Sequence, residues 1–108
     1  MRIVVLNRGE AATRCLRALR ELRIEDGSEL VGIACYTAPD RFAAFVREAD
    51  ESISLGAPLR RSAVSGELRP AYLDHERVLA ALRAIRADAV WPGWGFLAED
   101  ATFVERLE

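Results

Sequence analysis

The sequence predicts an α/β fold, a doubly wound parallel sheet with helices on both faces. Short runs of β-branched and other apolar residues are typical of strands that are buried on both sides. Between these runs apolar residues repeat at helical spacing, and one strand–helix–strand unit fits into about 35 residues, as in the βαβ unit of a parallel sheet. The 108 residues, 51% of them hydrophobic, suffice for one core, so we assign residues 1–108 to a single domain.

The first βαβ unit fills the first third of the chain. Residues 3–6 predict a buried strand, and Asn7 and Glu10 then have the spacing of a capping box, which predicts a helix that begins at once. The buried stripe of this helix consists of Ala12, Cys15, Leu16, Leu19 and Leu22. Residues 25–28 end the helix, and residues 30–36 predict a second buried strand.

The middle of the chain predicts a second helix and a third strand. Pro39 and Asp40 are expected to open the helix. Its inward-facing residues are predicted to be Phe42, Phe45, Val46 and Ala49. Residues 53–55 predict a short strand that Gly56 ends, and residues 57–71, rich in arginine, proline and serine, predict a loop.

The last third of the chain predicts a helix, a strand and a second helix. Asp74 is the expected N-cap of the first of these helices. Its buried residues are predicted to be Val78, Leu79, Leu82 and Ile85. Residues 87–91 predict a strand, residues 92–95 a tight loop, and a further helix is expected from about Ala98.

The composition excludes several functions. All fifteen basic residues are arginine, so the chain has no lysine for a phosphate-binding loop, a Schiff base or an ATP-grasp site, and it cannot carry out ATP chemistry alone. The single histidine, His75, excludes multi-histidine metal sites. With seventeen acidic and fifteen basic residues, the chain lacks the basic excess that is typical of nucleic-acid-binding proteins. No apolar run is long enough to span a membrane. We expect Cys15 and Cys35 to be reduced thiols in a cytoplasmic protein.

No catalytic residue is assigned from the sequence alone. Gly93, Gly95 and Ala98 match the dinucleotide fingerprint in spacing, but the chain ends before the acidic residue that such a site needs about 20 residues later. No serine or cysteine has a neighbouring base that would activate it. A free-standing Rossmann-like module that binds a nucleotide or another protein is therefore the alternative to a part of an enzyme.

The first predicted helix carries a charged row on its exposed face, formed by Glu10, Arg14, Arg17 and Glu21. Steps of four, three and four residues place these side chains on one side, where they can pair along the helix. The same row can also pair with an antiparallel copy of itself in a two-fold dimer. The spacing does not distinguish a solvated face from an interface.

Four motifs, in the same order along the chain, resemble the N-terminal domain of biotin carboxylase. They are Asn7-Arg8-Gly9-Glu10-Ala11-Ala12, Pro39-Asp40-Arg41 with Ala49-Asp50-Glu51, Ala71-Tyr72-Leu73-Asp74, and Pro92-Gly93-Trp94-Gly95-Phe96-Leu97-Ala98-Glu99-Asp100. That family usually reads NRGEIA, ADRD…ADE, SYLN and PGYGFLSEN at these places. The first domains of the carbamoyl-phosphate and purine-pathway ligases share this architecture but are not expected to carry both the first and the last motif.

The resemblance implies a parent enzyme that uses ATP, Mg²⁺ and bicarbonate to carboxylate biotin. In that family most ligands of these groups lie in an ATP-grasp domain and a C-terminal domain, so we expect this chain to bind none of them alone. It is then a fragment of a larger multidomain chain, and the Rossmann-like fold is the domain that precedes the ATP-grasp domain. The implied partners are those domains, a biotin carrier domain and a second copy in a homodimer. The carboxyl acceptor is chosen elsewhere in such enzymes.

The resemblance also implies site residues. By position in the family motifs, Trp94 and Gly95, with Glu99, are expected to line the substrate cleft. The family's dimer contacts carry over to Arg14, Arg17 and Glu21, which favours the interface interpretation of the charged row. Three features depart from the family pattern: Trp94 replaces a tyrosine, Phe45 replaces a frequent histidine, and the loop of residues 57–71 is longer.

Overall fold

A computed structural model describes residues 1–27, 29–61 and 66–92. The elements are β1 (Arg2–Val5), α1 (Gly9–Asp26), β2 (Val31–Thr37), α2 (Ala44–Glu48), β3 (Glu51–Gly56), β4 (Leu59–Arg61), β5 (Leu68–Pro70), α3 (His75–Ala84) and β6 (Ala89–Trp91). Two short 3₁₀ turns, Ala38–Asp40 and Ala71–Leu73, precede α2 and α3. The predicted final helix and all but the first residue of the loop predicted for residues 92–95 lie outside the described residues.

Four parallel strands form the main sheet in the order β3-β2-β1-β6. The chain starts in the interior of the sheet at β1, moves outward through β2 to β3, and then crosses back to the other side of β1 as β6. Val5 packs with α1 and α2, whereas its neighbour Val4 packs with α3, because successive side chains of a strand point to opposite faces. The helices therefore cover both faces, and the doubly wound α/β prediction is confirmed.

The core consists of two apolar layers, one on each side of the sheet. The layer beneath α1 and α2 is formed by Val5, Ala12, Leu16, Ala34 and Phe45. The layer beneath α3 includes Val4, Leu6, Ile33, Cys35, Leu55, Val78, Leu79 and Leu82. Of the residues predicted to be buried on the third helix, Val78, Leu79 and Leu82 are buried, whereas Ile85 lies at the C-cap and is half-buried. Asp74 caps the helix as predicted by accepting the Arg77 N–H.

The start of α1 differs from the prediction. The N-cap is Arg8, which makes no side-chain cap, and the expected capping box between Asn7 and Glu10 does not form. The helix begins one residue later than the capping box requires, and Asn7 Oδ1 accepts the Arg8 N–H while Asn7 Nδ2 donates to the Pro92 carbonyl. The end of α1 is as predicted: Gly27 has a left-handed φ of 70° and its N–H donates to the Arg23 carbonyl.

Two predicted core residues lie at the surface. Leu22 is 47% exposed because α1, at about 27 Å, is longer than the strands beneath it, so its last turns extend beyond the sheet. Phe42 is 76% exposed because Pro39 and Asp40 form a 3₁₀ turn rather than the start of α2. The Arg41 guanidinium stacks on the Phe42 ring at 4.9 Å, whereas Phe45 is buried as predicted.

The region predicted to be a loop contains a small hairpin. β4 and β5 pair antiparallel, with Leu59 opposite Pro70 and Arg61 opposite Leu68. Both leucines are exposed. The apolar periodicity of these three-residue strands is too short to be recognised in a sequence.

Arginine–carboxylate pairs hold the helices and the amino-terminal edge of the sheet together. Arg2 binds Glu51 at 2.7 Å, and the pKa of Glu51 is lowered mainly by that hydrogen bond. Burial raises the pKa of Asp50, but the Gly32 N–H and the Arg23 guanidinium outweigh this, so the pKa lies below its usual range. Each carboxylate is thus favoured in its charged form by the folded state.

We expect the domain to lose stability in acid. A carboxylate whose pKa is lower in the folded than in the unfolded chain stabilises the fold above its unfolded pKa, near 4, and this contribution disappears as the pH falls through the lower folded value. Urea unfolding at a series of pH values should give a constant free energy above about pH 5 and a decline below it. Asp50→Asn should reduce the stability at neutral pH and flatten the decline. An unchanged decline in this variant would contradict the assignment.

Candidate functional site at the carboxyl edge of the sheet

The carboxyl ends of β1 and β6 meet at the point where the chain reverses its direction across the sheet. From β1 the chain proceeds to β2 on one side, while β6 adds to β1 on the other. In open parallel sheets ligands bind outside the carboxyl ends of the strands at this switch point. The segment after β1 and the segment after β6, both singled out in the sequence, therefore start at the same place.

Asn7 joins the two segments. Its side chain is buried, with 6% of the residue exposed, and its Nδ2 donates to the Pro92 carbonyl at 3.0 Å. Its Oδ1 accepts the Arg8 N–H at 2.8 Å. One residue earlier, the Leu6 N–H donates to the Trp91 carbonyl at 2.9 Å. The ends of β1 and β6 are thus linked first by the main chain and then by an amide side chain.

Arg8 links the turn after β1 to the turn after β2. Its Nε and Nη2 donate to the two carboxylate oxygens of Asp40 at 2.8 and 2.7 Å, a bidentate geometry. This hydrogen bond is the main cause of the raised pKa of Arg8. The Arg8 side chain is 52% exposed and that of Asp40 is 13% exposed, so the pair forms the rim of this edge.

On the face of the sheet covered by α3, two side chains bind main-chain carbonyls of the strands. The Tyr72 hydroxyl donates to the Cys35 carbonyl at 2.7 Å, and Arg77 Nη1 donates to the Leu55 carbonyl. Burial is the main cause of the raised pKa of Tyr72 and raises the pKa of the Cys35 thiol to about 12. At neutral pH Cys35 is a protonated thiol and not a nucleophile.

The cleft residues predicted from the sequence, Trp94, Gly95 and Glu99, lie outside the described residues. Among the residues that the structure does describe, no three histidine, cysteine or acidic side chains come close enough to hold a metal ion. Within the same ranges, no helix is long and apolar enough to cross a membrane.

The two arginines of the charged row on α1 bind different carboxylates. Arg14 binds Glu10 at 2.6 Å within the helix, as its spacing predicts. Arg17 instead forms a bidentate pair with Glu48 of α2 at 2.8 and 2.9 Å. Glu21 is exposed one turn further along α1. One arginine of the row is therefore paired within α1, and the other is paired with α2.

An apolar groove of about 530 Å³ lies beside the charged row, between α1 and the outer strand β6. It is lined by Glu10, Ala11, Arg14, Cys15, Ala18 and Trp91. Small side chains on α1 form its floor, and the exposed Glu10–Arg14 pair stands at its border.

The sequence motifs indicate the segments of this edge but not the contacts that assemble it. The spacing predicts Asn7 as a helix cap, and no motif predicts that Asp40 or Glu48 binds an arginine of the first turn or helix. Their partners are separated by about thirty or more residues in the sequence, so no local pattern could have revealed them. The order of the motifs along the chain was the only available signal.

The described sheet is that of a doubly wound α/β domain, a class in which ligands bind at the switch point. The family model described as biotin carboxylase, N-terminal domain, matches residues 1–108. The chain therefore belongs to the biotin carboxylase N-terminal domain family, as its motifs indicated.

Individual relatives agree with this assignment. A biotin carboxylase from Haemophilus influenzae is 39% identical over 108 residues, which cover 99% of this chain and 21% of that protein. The biotin-dependent acyl-coenzyme A carboxylase alpha3 subunit of Mycobacterium leprae is 41% identical over 106 residues, covering 98% and 15%. The crystal structure of a biotin carboxylase–beta-gamma-ATP complex from Campylobacter jejuni superposes with a TM-score of 0.76 at 35% identity, covering 97% and 20%. The chain spans only about a fifth, or less, of the length of these proteins.

Proposed function

We propose that this domain is part of a cytoplasmic, ATP-dependent biotin carboxylase, a ligase that transfers a carboxyl group from bicarbonate to biotin. Family membership supports the activity. The observation that carries the proposal is the meeting of the Asn7–Glu10 motif with the end of β6 at the switch point. The domain supplies one wall of the substrate cleft through the segment that follows Pro92, with Trp94, Gly95 and Glu99 as the lining residues.

The domain supplies shape and hydrogen bonds rather than the ligands of ATP and Mg²⁺. Its only basic side chains besides His75 are guanidinium groups, and Arg2, Arg8, Arg14, Arg17 and Arg23 are bound to carboxylates of the same chain. An ATP-grasp domain and a C-terminal domain of the same protein provide the remaining groups, and a biotin carrier domain presents the substrate.

The test compares the full-length protein with the 108-residue chain. The full-length protein should cleave ATP only when bicarbonate and biotin are both present, and it should incorporate labelled bicarbonate into biotin. The 108-residue chain should show neither activity. Absence of biotin carboxylation by the full-length protein, or bicarbonate-dependent ATP cleavage by the isolated chain, would contradict the proposal.

We propose that the exposed face of α1, with Arg14, Arg17 and Glu21, is part of a homodimer interface in the parent enzyme. Acids and bases along the row allow an antiparallel copy to pair with it. The groove beside Arg14 offers apolar area for such a contact, because small residues of α1 leave space against Trp91. Arg17 takes part while it is bound to Glu48, so it presents a fixed rather than a mobile guanidinium.

Arg14→Glu should weaken dimerisation of the full-length protein by about tenfold or more without lowering the stability of the domain by more than about 0.5 kcal/mol. The reason is that Arg14 binds only an exposed acid of its own helix in the described contacts. Arg17→Glu should weaken the dimer and also destabilise the domain, because it places two carboxylates together at Glu48. Analytical ultracentrifugation and urea unfolding separate the two effects. A dimer unaffected by Arg14→Glu would refute the interface.

A further inference from the structure

We propose that Asn7 is a positioning residue for the substrate cleft: its side-chain amide fixes the carbonyl of Pro92, the residue from which the chain continues into the segment assigned to the cleft wall. This inference rests on the proposed function, because the segment after Pro92 is the one assigned to the cleft wall. Asn7 itself contacts no substrate in this proposal and acts through the main chain of Pro92.

Two hydrogen bonds of different kinds hold the end of β6 to the end of β1. The first is a main-chain bond of the strand ladder, from the Leu6 N–H to the Trp91 carbonyl. Because successive carbonyls of a strand point to opposite sides, the Pro92 carbonyl is not the next rung of this ladder. Asn7 Nδ2 binds it with a side-chain bond of 3.0 Å.

Pro92 makes this bond particularly informative. Proline has no N–H, so its carbonyl is the only main-chain polar group through which this residue can be held. A buried amide without a hydrogen-bond partner is costly. The buried Asn7 amide finds this partner in the carbonyl of the half-buried Pro92, and the bond holds the peptide at the end of β6.

The other half of the amide is also held. Oδ1 accepts the Arg8 N–H at 2.8 Å, and the Arg8 side chain is fixed by its bidentate pair with Asp40. The amide plane therefore cannot rotate without losing a bond on either side. Asparagine provides one donor and one acceptor at this length, whereas aspartate retains only the acceptor and leucine retains neither.

Two variants of the full-length protein separate the two bonds. Asn7→Asp keeps the acceptor for the Arg8 N–H and loses the donor to Pro92, while Asn7→Leu loses both. If the Pro92 bond positions the cleft, both variants should raise the KM for free biotin by about tenfold, the equivalent of one lost hydrogen bond, with the KM for ATP unchanged. If Asn7→Asp behaves as the unmodified enzyme, the Arg8 bond alone matters and the proposal is overturned.

A control distinguishes positioning from a general loss of stability. Asp74→Ala removes the cap of α3 on a different element and should lower the denaturation midpoint to a similar extent. Its KM for biotin should not change. An equal rise in this control would assign the Asn7 effect to stability and overturn the inference. If the unmodified full-length protein carboxylates biotin while both Asn7 variants retain its KM, this inference fails and the proposed function stands.

Discussion

Replacing Phe45 by alanine is expected to lower the free energy of unfolding by about 3–5 kcal/mol, the range observed for large buried aromatic side chains. Phe45 is 1% exposed and is the main anchor of the five-residue helix α2. It packs with Val5, Leu16 and Ala34, so it joins α2 to both α1 and the sheet. The loss is a large fraction of the 5–15 kcal/mol that stabilises a typical domain.

Phe42→Ala is the matched control, because it removes the same side chain three residues earlier from an exposed position. Its unfolding free energy in urea should stay within about 0.5 kcal/mol of the unmodified chain. Similar losses for the two variants would show that Phe45 is not the anchor of α2. The family often has a histidine at the position of Phe45. A buried imidazole there would need a hydrogen-bond partner, whereas the buried residues of the described layer around Phe45 are apolar.

Trp94→Ala is expected to lower biotin carboxylation by the full-length protein by about 10- to 100-fold, which corresponds to about 1.4–2.8 kcal/mol of lost transition-state stabilisation. The expectation follows from the place of Trp94 two residues after Pro92, in the segment assigned to the cleft wall. A large aromatic side chain at such a wall excludes water and restricts the orientation of the substrate. The measurement is kcat/KM with free biotin, with ATP and bicarbonate at saturation.

Trp94→Tyr tests the departure from the family pattern directly. It restores the residue that is usual in the family motif, and we expect most of the activity to remain. Trp91→Phe is the second control, because Trp91 is a half-buried residue that packs against the core beneath α1 and should affect stability rather than turnover. Unchanged turnover of Trp94→Ala would remove Trp94 from the cleft wall.

The architecture was predictable because it depends on local patterns. Strands such as residues 3–6 are short apolar runs, and α3 has a regular apolar stripe with Asp74 at its start. The errors fall where tertiary contacts compete with local preference. Asn7 has the spacing of a capping residue, but its side chain binds the Arg8 N–H and the carbonyl of Pro92, 85 residues away. Phe42 has helical spacing, but the 3₁₀ turn before it rotates its side chain out of the core.

The candidate site was predictable only in part, for a related reason. The motif order indicated which segments matter, but not that the turn after β1 is bound on one side to Pro92 and on the other to Asp40. Likewise the charged row on α1 can be recognised from the spacing of its residues in the sequence. The ion pair between Arg17 and Glu48, in contrast, depends on how α2 packs against α1. Pairings of this kind are set by the fold and leave no periodic trace in the sequence.

The exclusive use of arginine in the ion pairs has a consequence for alkaline conditions. Guanidinium groups keep their charge far above the pH at which lysine loses it, so the five pairs of the described residues persist in base. The highest pH at which the domain stays folded is then set by buried acidic groups that are neutral in the folded state. The thiol of Cys35, with its pKa raised to about 12, favours the folded state below its ordinary value of 9.0, and that contribution is lost as the pH rises further. The domain should therefore unfold in base by ionising its interior while its surface charges remain paired.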